Sequence, residues 1–161
     1  MANPGLSEFR GRDLLIDTNL LLLALVGNFD RRLVGRDRLD AFTIQDLHQL
    51  NSIIEGAKGL VTTPGILTET SNLAAQMIDT RRLPELFYLL RITIKAFEER
   101  HEKSAIVSDQ PIFLRFGLTD AAIIHIAKDG LLVLTGDRAL AGYLAKNGID
   151  VVNFNHLRAL L

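Results

Sequence analysis

The chain contains no cysteine, which removes disulfides and thiolate metal sites and fits a reducing compartment, so a cytoplasmic location is expected. No apolar run approaches the roughly 20 residues that span a bilayer, and no membrane association is expected. The opening residues, Met1 to Asp17, lack an apolar stretch followed by a small-residue cleavage site, which argues against a secretory leader. Aromatic residues make up only 6% and form no stacking platform, which argues against sequence-tolerant binding of single strands by base stacking. The net charge of −1 disfavours tight, indiscriminate binding to long nucleic acid, although a local basic patch could still guide one. Repeats, low-complexity tracts and Pro/Gly-rich linkers are also missing.

What is present suits one compact domain: 161 residues, 48% of them hydrophobic, enough to bury a sizeable core. Residues 1–12 read as an N-terminal tail, with disorder expected to about Gly11, and 13–161 as a single domain. Strand-length apolar runs then alternate with segments of helical period. Asp13–Asp17 reads as a strand and Asn19–Val26 as a helix. Gly27–Asp40 reads as a loop or frayed helix, and Thr43–Gly56 as an amphipathic helix. Leu60–Thr63 reads as a second strand, followed by a helix from Pro64 to about Thr80. Leu83–His101 is expected to be one long helix and Ser104–Ser108 a weak edge strand. Gly117–Thr119 is expected to be a loop, with Thr119 capping a helix Asp120–Lys128. Leu131–Thr135 reads as a buried strand, Arg138–Asn147 as a helix stopped by Gly148, and Val151–Phe154 as a last strand. Such alternation implies an α/β fold with a mainly parallel sheet covered by helices on both faces.

In open α/β sheets, sites form beyond the carboxyl ends of the strands. Four acids fall there: Asp17 at the end of the first strand, Glu69 in the first turns after the second, Asp120 opening a helix, and Asp137 just past Leu131–Thr135. Carboxylates gathered in apolar surroundings repel one another and are driven to protonate unless a cation neutralises them. With only oxygen donors, Mg²⁺ or Mn²⁺ is the preferred ion. Such ions activate water and stabilise charge on a phosphodiester. Thr18, Asn19 and Thr135 are placed to orient ligands or bound water. Each acid also has an ordinary reading: Asp17 and Asp137 as helix caps, Asp120 as a partner of a helix dipole, and Glu69 as a solvated helical residue.

Four segments together resemble the PIN-domain nucleases: Leu15-Ile16-Asp17-Thr18-Asn19, Thr62 through Glu69, Gly117-Leu118-Thr119-Asp120-Ala121, and Leu134 through Leu140. Their order and separations are similar to the family's and span Leu14 to Phe154. The resemblance implies a three-layer α/β/α sandwich, an acidic Mg²⁺/Mn²⁺ site formed by Asp17, Glu69, Asp120 and Asp137, and hydrolysis of phosphodiester bonds in single-stranded or structured RNA. Thr135 takes the family's Ser/Thr position and Asn19 its polar position after the first acid. Many members are VapC-type toxins that dimerise and are blocked by an antitoxin, so a homodimer and an antitoxin partner are expected here. The leucine-rich Leu20–Val26 and the helix Leu83–His101, each apolar on more than one face, point to such an interface. The enlarged segment Asn28–Asp40 departs from many toxin members and leaves a solitary PIN nuclease open.

Two other functions compete. A PIN fold retained as a weakly catalytic binding module usually lacks one or more of the acids, and all four are present. A haloacid-dehalogenase-type phosphohydrolase needs a second acid two residues after its nucleophilic Asp, and that position is Asn19. The arginines Arg31, Arg32, Arg36 and Arg38 could contact RNA phosphates, but Asp30, Asp37 and Asp40 are interleaved with them, which favours a solvated mixed-charge surface. The histidines show no metal-ligand spacing.

Overall fold

The computed structural model describes residues 8–128 and 130–158. Five strands form one sheet: β1 (Asp13–Ile16), β2 (Gly59–Thr62), β3 (Phe97–Glu99), β4 (Leu132–Thr135) and β5 (Val151–Asn153). Their order is β3-β2-β1-β4-β5 and every neighbouring pair is parallel. Leu15, at the centre, stands opposite Val61 on one side and Val133 on the other. Leu14, Leu15 and Ile16 of β1 and all of β4 are buried, as befits parallel strands covered on both faces. The connections are α1 (Thr18–Phe29), α2 (Ile44–Gly56), α3 (Pro64–Met77), α4 (Leu83–Lys95), α5 (Ser104–Ser108), α6 (Phe113–Ala127) and α7 (Arg138–Lys146), with α8 (Phe154–Arg158) closing the described chain. The fold is α/β, a parallel sheet flanked by helices in the manner of a three-layer α/β/α sandwich.

Helix α1 explains much of the packing. Its sequence is apolar all round, the mark of a helix that lies inside rather than on a surface. Leu20 through Gly27 are buried, and α2, α3 and α4 pack against it. At Gly27 a Cβ would stand 2.9 Å from Leu47 Cδ1, so a side chain there would have to displace the Leu47 tip of α2. This corrects the expectation that Leu20–Val26 offers an interface, because the same chain covers its faces. Helix α4 does keep exposed apolar residues, Phe87, Tyr88, Ile92 and Ile94.

Several boundaries differ from those expected. The helix expected over Leu83–His101 stops at Lys95, and Phe97–Glu99 joins the sheet beside β2. Glu98 and Glu99 are exposed on this edge strand, where charge discourages pairing with another chain. Ser104–Ser108, expected as a strand, is a short helix with only Val107 buried. The Gly117–Thr119 loop is a kink inside α6, where Gly117 takes φ 77° and ψ −176°, backbone that favours glycine. Within Gly27–Asp40, α1 runs on to Phe29, and Arg31–Leu33 and Asp37–Leu39 form 3-10 turns. Phe154 begins α8 rather than ending β5.

The expected N-terminal tail is ordered from at least Phe9, which is 1% exposed in the core, while Arg10 bridges to Ala57. The part of that tail in residues 1–7 lies outside the described residues. No helix among the described residues is long and apolar enough to cross a membrane.

Burial of Phe9 generates a prediction. Phe9→Ala should cost about 3 kcal/mol in urea unfolding, as for other buried Phe truncations. A loss below about 0.5 kcal/mol, the range of surface changes, would return residue 9 to a tail.

Candidate acidic site

The chain leaves β1 toward β2 and β3, then returns to lay β4 on the opposite side of β1. The sheet order therefore reverses between β1 and β4, and open α/β sheets bind ligands at the carboxyl end of such a switch point. Asp17 follows β1 directly and Asp137 lies two residues beyond β4. Asp120 comes from the second half of α6, past the Gly117 kink. Glu69 comes from α3, which Thr63 caps by accepting the Ile66 N–H at 3.1 Å and in which Pro64 holds the first turn.

Asp17 is 5% exposed, and both its oxygens are engaged. Oδ1 caps α1 by accepting the Leu20 N–H at 3.0 Å. Oδ2 accepts a short hydrogen bond from the Thr135 hydroxyl and another from the Gly136 N–H at 3.0 Å. The same Thr135 hydroxyl accepts the Asp137 N–H at 3.0 Å, so one side chain joins the ends of β1 and β4. Burial pushes the Asp17 carboxyl above its ordinary value; the donors from Thr135, Leu20 and Gly136 oppose the shift, and the charge of Asp137 adds to it.

Asp137 Oδ1 caps α7 through the Leu140 N–H at 2.9 Å. Glu69 is exposed, and its Oε2 accepts the Thr119 hydroxyl at 3.1 Å. The Asp120 carboxyl is pushed up to about 6, first by burial and then by the charges of Asp137, Asp17 and Glu69. Four acids distant in sequence thus act on one another through a single field. The cap readings of Asp17 and Asp137 hold, since each side chain accepts an N–H of the following helix.

Among the described residues no three His, Cys, Asp or Glu side chains stand together closely enough to hold a metal ion outright. What fits a hard divalent cation is the chemistry: oxygen donors throughout, and a half-buried Asp120 carboxyl raised by burial and then by three neighbouring negative charges, a local balance that a bound cation inverts. Of the polar residues expected beside the acids, Thr135 bonds Asp17. Thr18 is buried and Asn19 exposed, and among the described residues no hydrogen bond joins either to an acid. Sequence reasoning missed Asn155, whose amide donates to the Gly136 carbonyl at 2.7 Å and steadies the turn carrying Asp137. It also missed Thr119 as the partner of Glu69, since a bond across 50 positions leaves no local signal.

The arginine cluster is a mixed-charge surface. Arg32 and Arg82 both pair with Asp30, at 2.7 and 2.9 Å, and hold its carboxyl well below the usual carboxylate range. Arg81 pairs with Asp79 at 3.1 Å. His125 lies 3.6 Å from Glu102 and 2.8 Å from the Gln110 amide, in a structural arrangement rather than a metal set.

No family model matches the chain and no curated protein matches it significantly. Among solved structures, PAE2754 from Pyrobaculum aerophilum is similar, with a TM-score of 0.52 and 18% identity over 91% of this chain and 92% of that one. At that identity the likeness is one of fold.

The raised Asp120 carboxyl carries a pH prediction. The folded protein binds this proton more tightly than the unfolded chain, whose carboxyl titrates near the ordinary 3.8. Stability therefore falls as pH climbs from there through about 6. In EDTA at pH 7, Asp120→Asn should stabilise by about 1 kcal/mol, solvent softening the full effect, or roughly 2–4 °C in Tm. The gain should vanish near pH 4. An equal or lower Tm at pH 7 would contradict the shared field.

Proposed function

We propose that the protein is a Mg²⁺- or Mn²⁺-dependent, PIN-type ribonuclease that hydrolyses phosphodiester bonds in single-stranded or structured RNA in the cytoplasm. The observation that carries the reading is the placement of the acids: Asp17 and Asp137 lie just past β1 and β4 at the carboxyl end of the sheet's switch point, and their charges add, after burial and with that of Glu69, to the rise of the Asp120 carboxyl. Those four side chains would hold the ion. Such an ion, when bound, supplies charge stabilisation at the phosphoryl oxygens and an activated water. The protein's own part is positioning: three donors fix Asp17, the Thr119 hydroxyl restrains Glu69, and Asn155 braces the turn before Asp137.

Asp137→Asn separates the two roles of that residue, because Asn caps a helix as well as Asp does. The variant should melt within about 1 °C of wild type, a loss of only a few tenths of a kcal/mol. With single-stranded RNA and Mn²⁺ it should cleave at least ~100-fold more slowly, at or beyond the loss for residues that merely support metal ligands, and EDTA should abolish wild-type cleavage. Full activity in Asp137→Asn, or cleavage that survives chelation, would reject the metal-nuclease reading.

The toxin role, with its homodimer and antitoxin partner, belongs to the same proposal. The exposed Phe87, Tyr88, Ile92 and Ile94 of α4 support a protein interface there. Light scattering should give twice the 17.9 kDa chain mass, reduced to one chain mass by Tyr88→Glu with Ile92→Glu. A wild-type monomer at high concentration would remove the dimer.

A further inference from the structure

Beside the acids lies a hollow of about 390 Å³, within the ~300–1,000 Å³ range of small-molecule sites. Its walls include the apolar Pro64, Val107, Leu118 and Ala122, and His101 and Lys103 of the segment after β3 line it too. It shares Pro64, Gly65 and Thr119 with an open cleft of about 420 Å³ that reaches Glu69 and Asn72. Thr119 stands on the boundary, lining both spaces and donating to Glu69 at 3.1 Å. Gly65 lines both spaces without a side chain; a Cβ there would lie 3.7 Å from the hydroxyls of both Thr119 and Thr63.

We propose that this hollow receives one base of the RNA strand, seating the adjoining phosphate at the acids, with Lys103 meeting the backbone at the mouth. The inference rests on the RNA reading above and assigns it a specificity site. Three features favour a base. Most of the lining surface is apolar, suiting a flat group with apolar faces, and Thr63, Ser104 and Thr119 offer polar atoms for its edges. The hollow and the cleft that holds Glu69 share Pro64, Gly65 and Thr119 as lining, so they lie side by side within the reach of one nucleotide. Glu102 also lines the hollow, but its carboxylate accepts the Lys103 N–H at 2.7 Å and lies 3.6 Å from His125 Nε2. It is thus tied to its own loop and to α6, while the ammonium of Lys103 remains to attract the backbone. Few aromatics are available for an open stacking platform, and the mostly apolar surface of this half-open hollow desolvates the base faces instead.

The test is a titration of ¹⁵N-labelled full-length protein in Ca²⁺, which supplies the cation's charge while separating binding from Mn²⁺-dependent cleavage, with the RNA pentamers A5, C5 and U5 and an abasic pentamer. Amide shifts should saturate at Gly65, Lys103, Val107 and Ala122. The preferred pentamer should bind at least ~10-fold tighter than the abasic one, the scale on which single-base contacts register. Leu118→Trp changes a residue 45% exposed and should close the hollow, making every pentamer bind like the abasic one while the rest of the spectrum is unchanged. Lys103→Ala should weaken all pentamers and flatten the salt dependence while keeping their order. Equal affinity for abasic and natural pentamers, shifts that saturate elsewhere, or a base preference that survives in Leu118→Trp would each overturn the inference. Cleavage in Mn²⁺ without base preference rejects the hollow and keeps the nuclease. Base preference without cleavage keeps the hollow and rejects the nuclease.

Discussion

Asp17 ends the innermost strand with its carboxylate 5% exposed, and withdrawing such a charge from water costs several kcal/mol unless donors surround it. The donors come from both sides of the sheet's reversal: Leu20 in α1, Thr135 at the end of β4 and Gly136 in the following turn. One buried group therefore holds the register of two strands and the entry of two helices. Thr135 in turn accepts the Asp137 N–H, so the second acid is positioned by the same hydroxyl that stabilises the first. Burial, and then the charges of Asp137, Asp17 and Glu69, lift the Asp120 carboxyl to about 6. A protein that keeps like charges together at some expense of stability commonly does so at a functional site.

The innermost parts of the fold were the most legible in the sequence. Leu14-Leu15-Ile16 and Leu131 through Leu134 read as strands because parallel strands buried on both faces need no alternation. Asp17 and Asp137 were legible for a related reason, each lying just past a strand at the carboxyl edge and capping the next helix; Asp120 sits inside α6 rather than at its start. Peripheral elements were not. The apolar spacing Leu86, Leu90, Ile94, Phe97 continues past the true end of α4, and nothing local announces that Phe97 turns toward Leu60 in the sheet. Ser104–Ser108 carries β-branched Ile106 and Val107, yet only Val107 is buried; tertiary packing overrode the strand preference of that short run. The Thr119–Glu69 bond and the hollow beside it arise only when α3, α6 and the segment after β3 meet.

A leucine-rich helix with no polar face fits either an interface or an interior, and periodicity alone does not distinguish the two. In this molecule α2, α3 and α4 enclose α1, and the surface that remains apolar belongs to α4. The likeness to PAE2754 extends over 91% of the chain at 18% identity, and an α/β sandwich of this kind hosts many chemistries. The functional reading stands on the acids rather than on the fold, and on one electrostatic premise: that a divalent cation relieves what crowds them.

The most direct measurement is an anomalous difference map from crystals grown with Mn²⁺. The strongest peak should lie within ligand distance of carboxylate oxygens contributed by at least three of Asp17, Glu69, Asp120 and Asp137. A peak elsewhere, or carboxylates that stay apart with no ion among them at millimolar Mn²⁺, would contradict the premise.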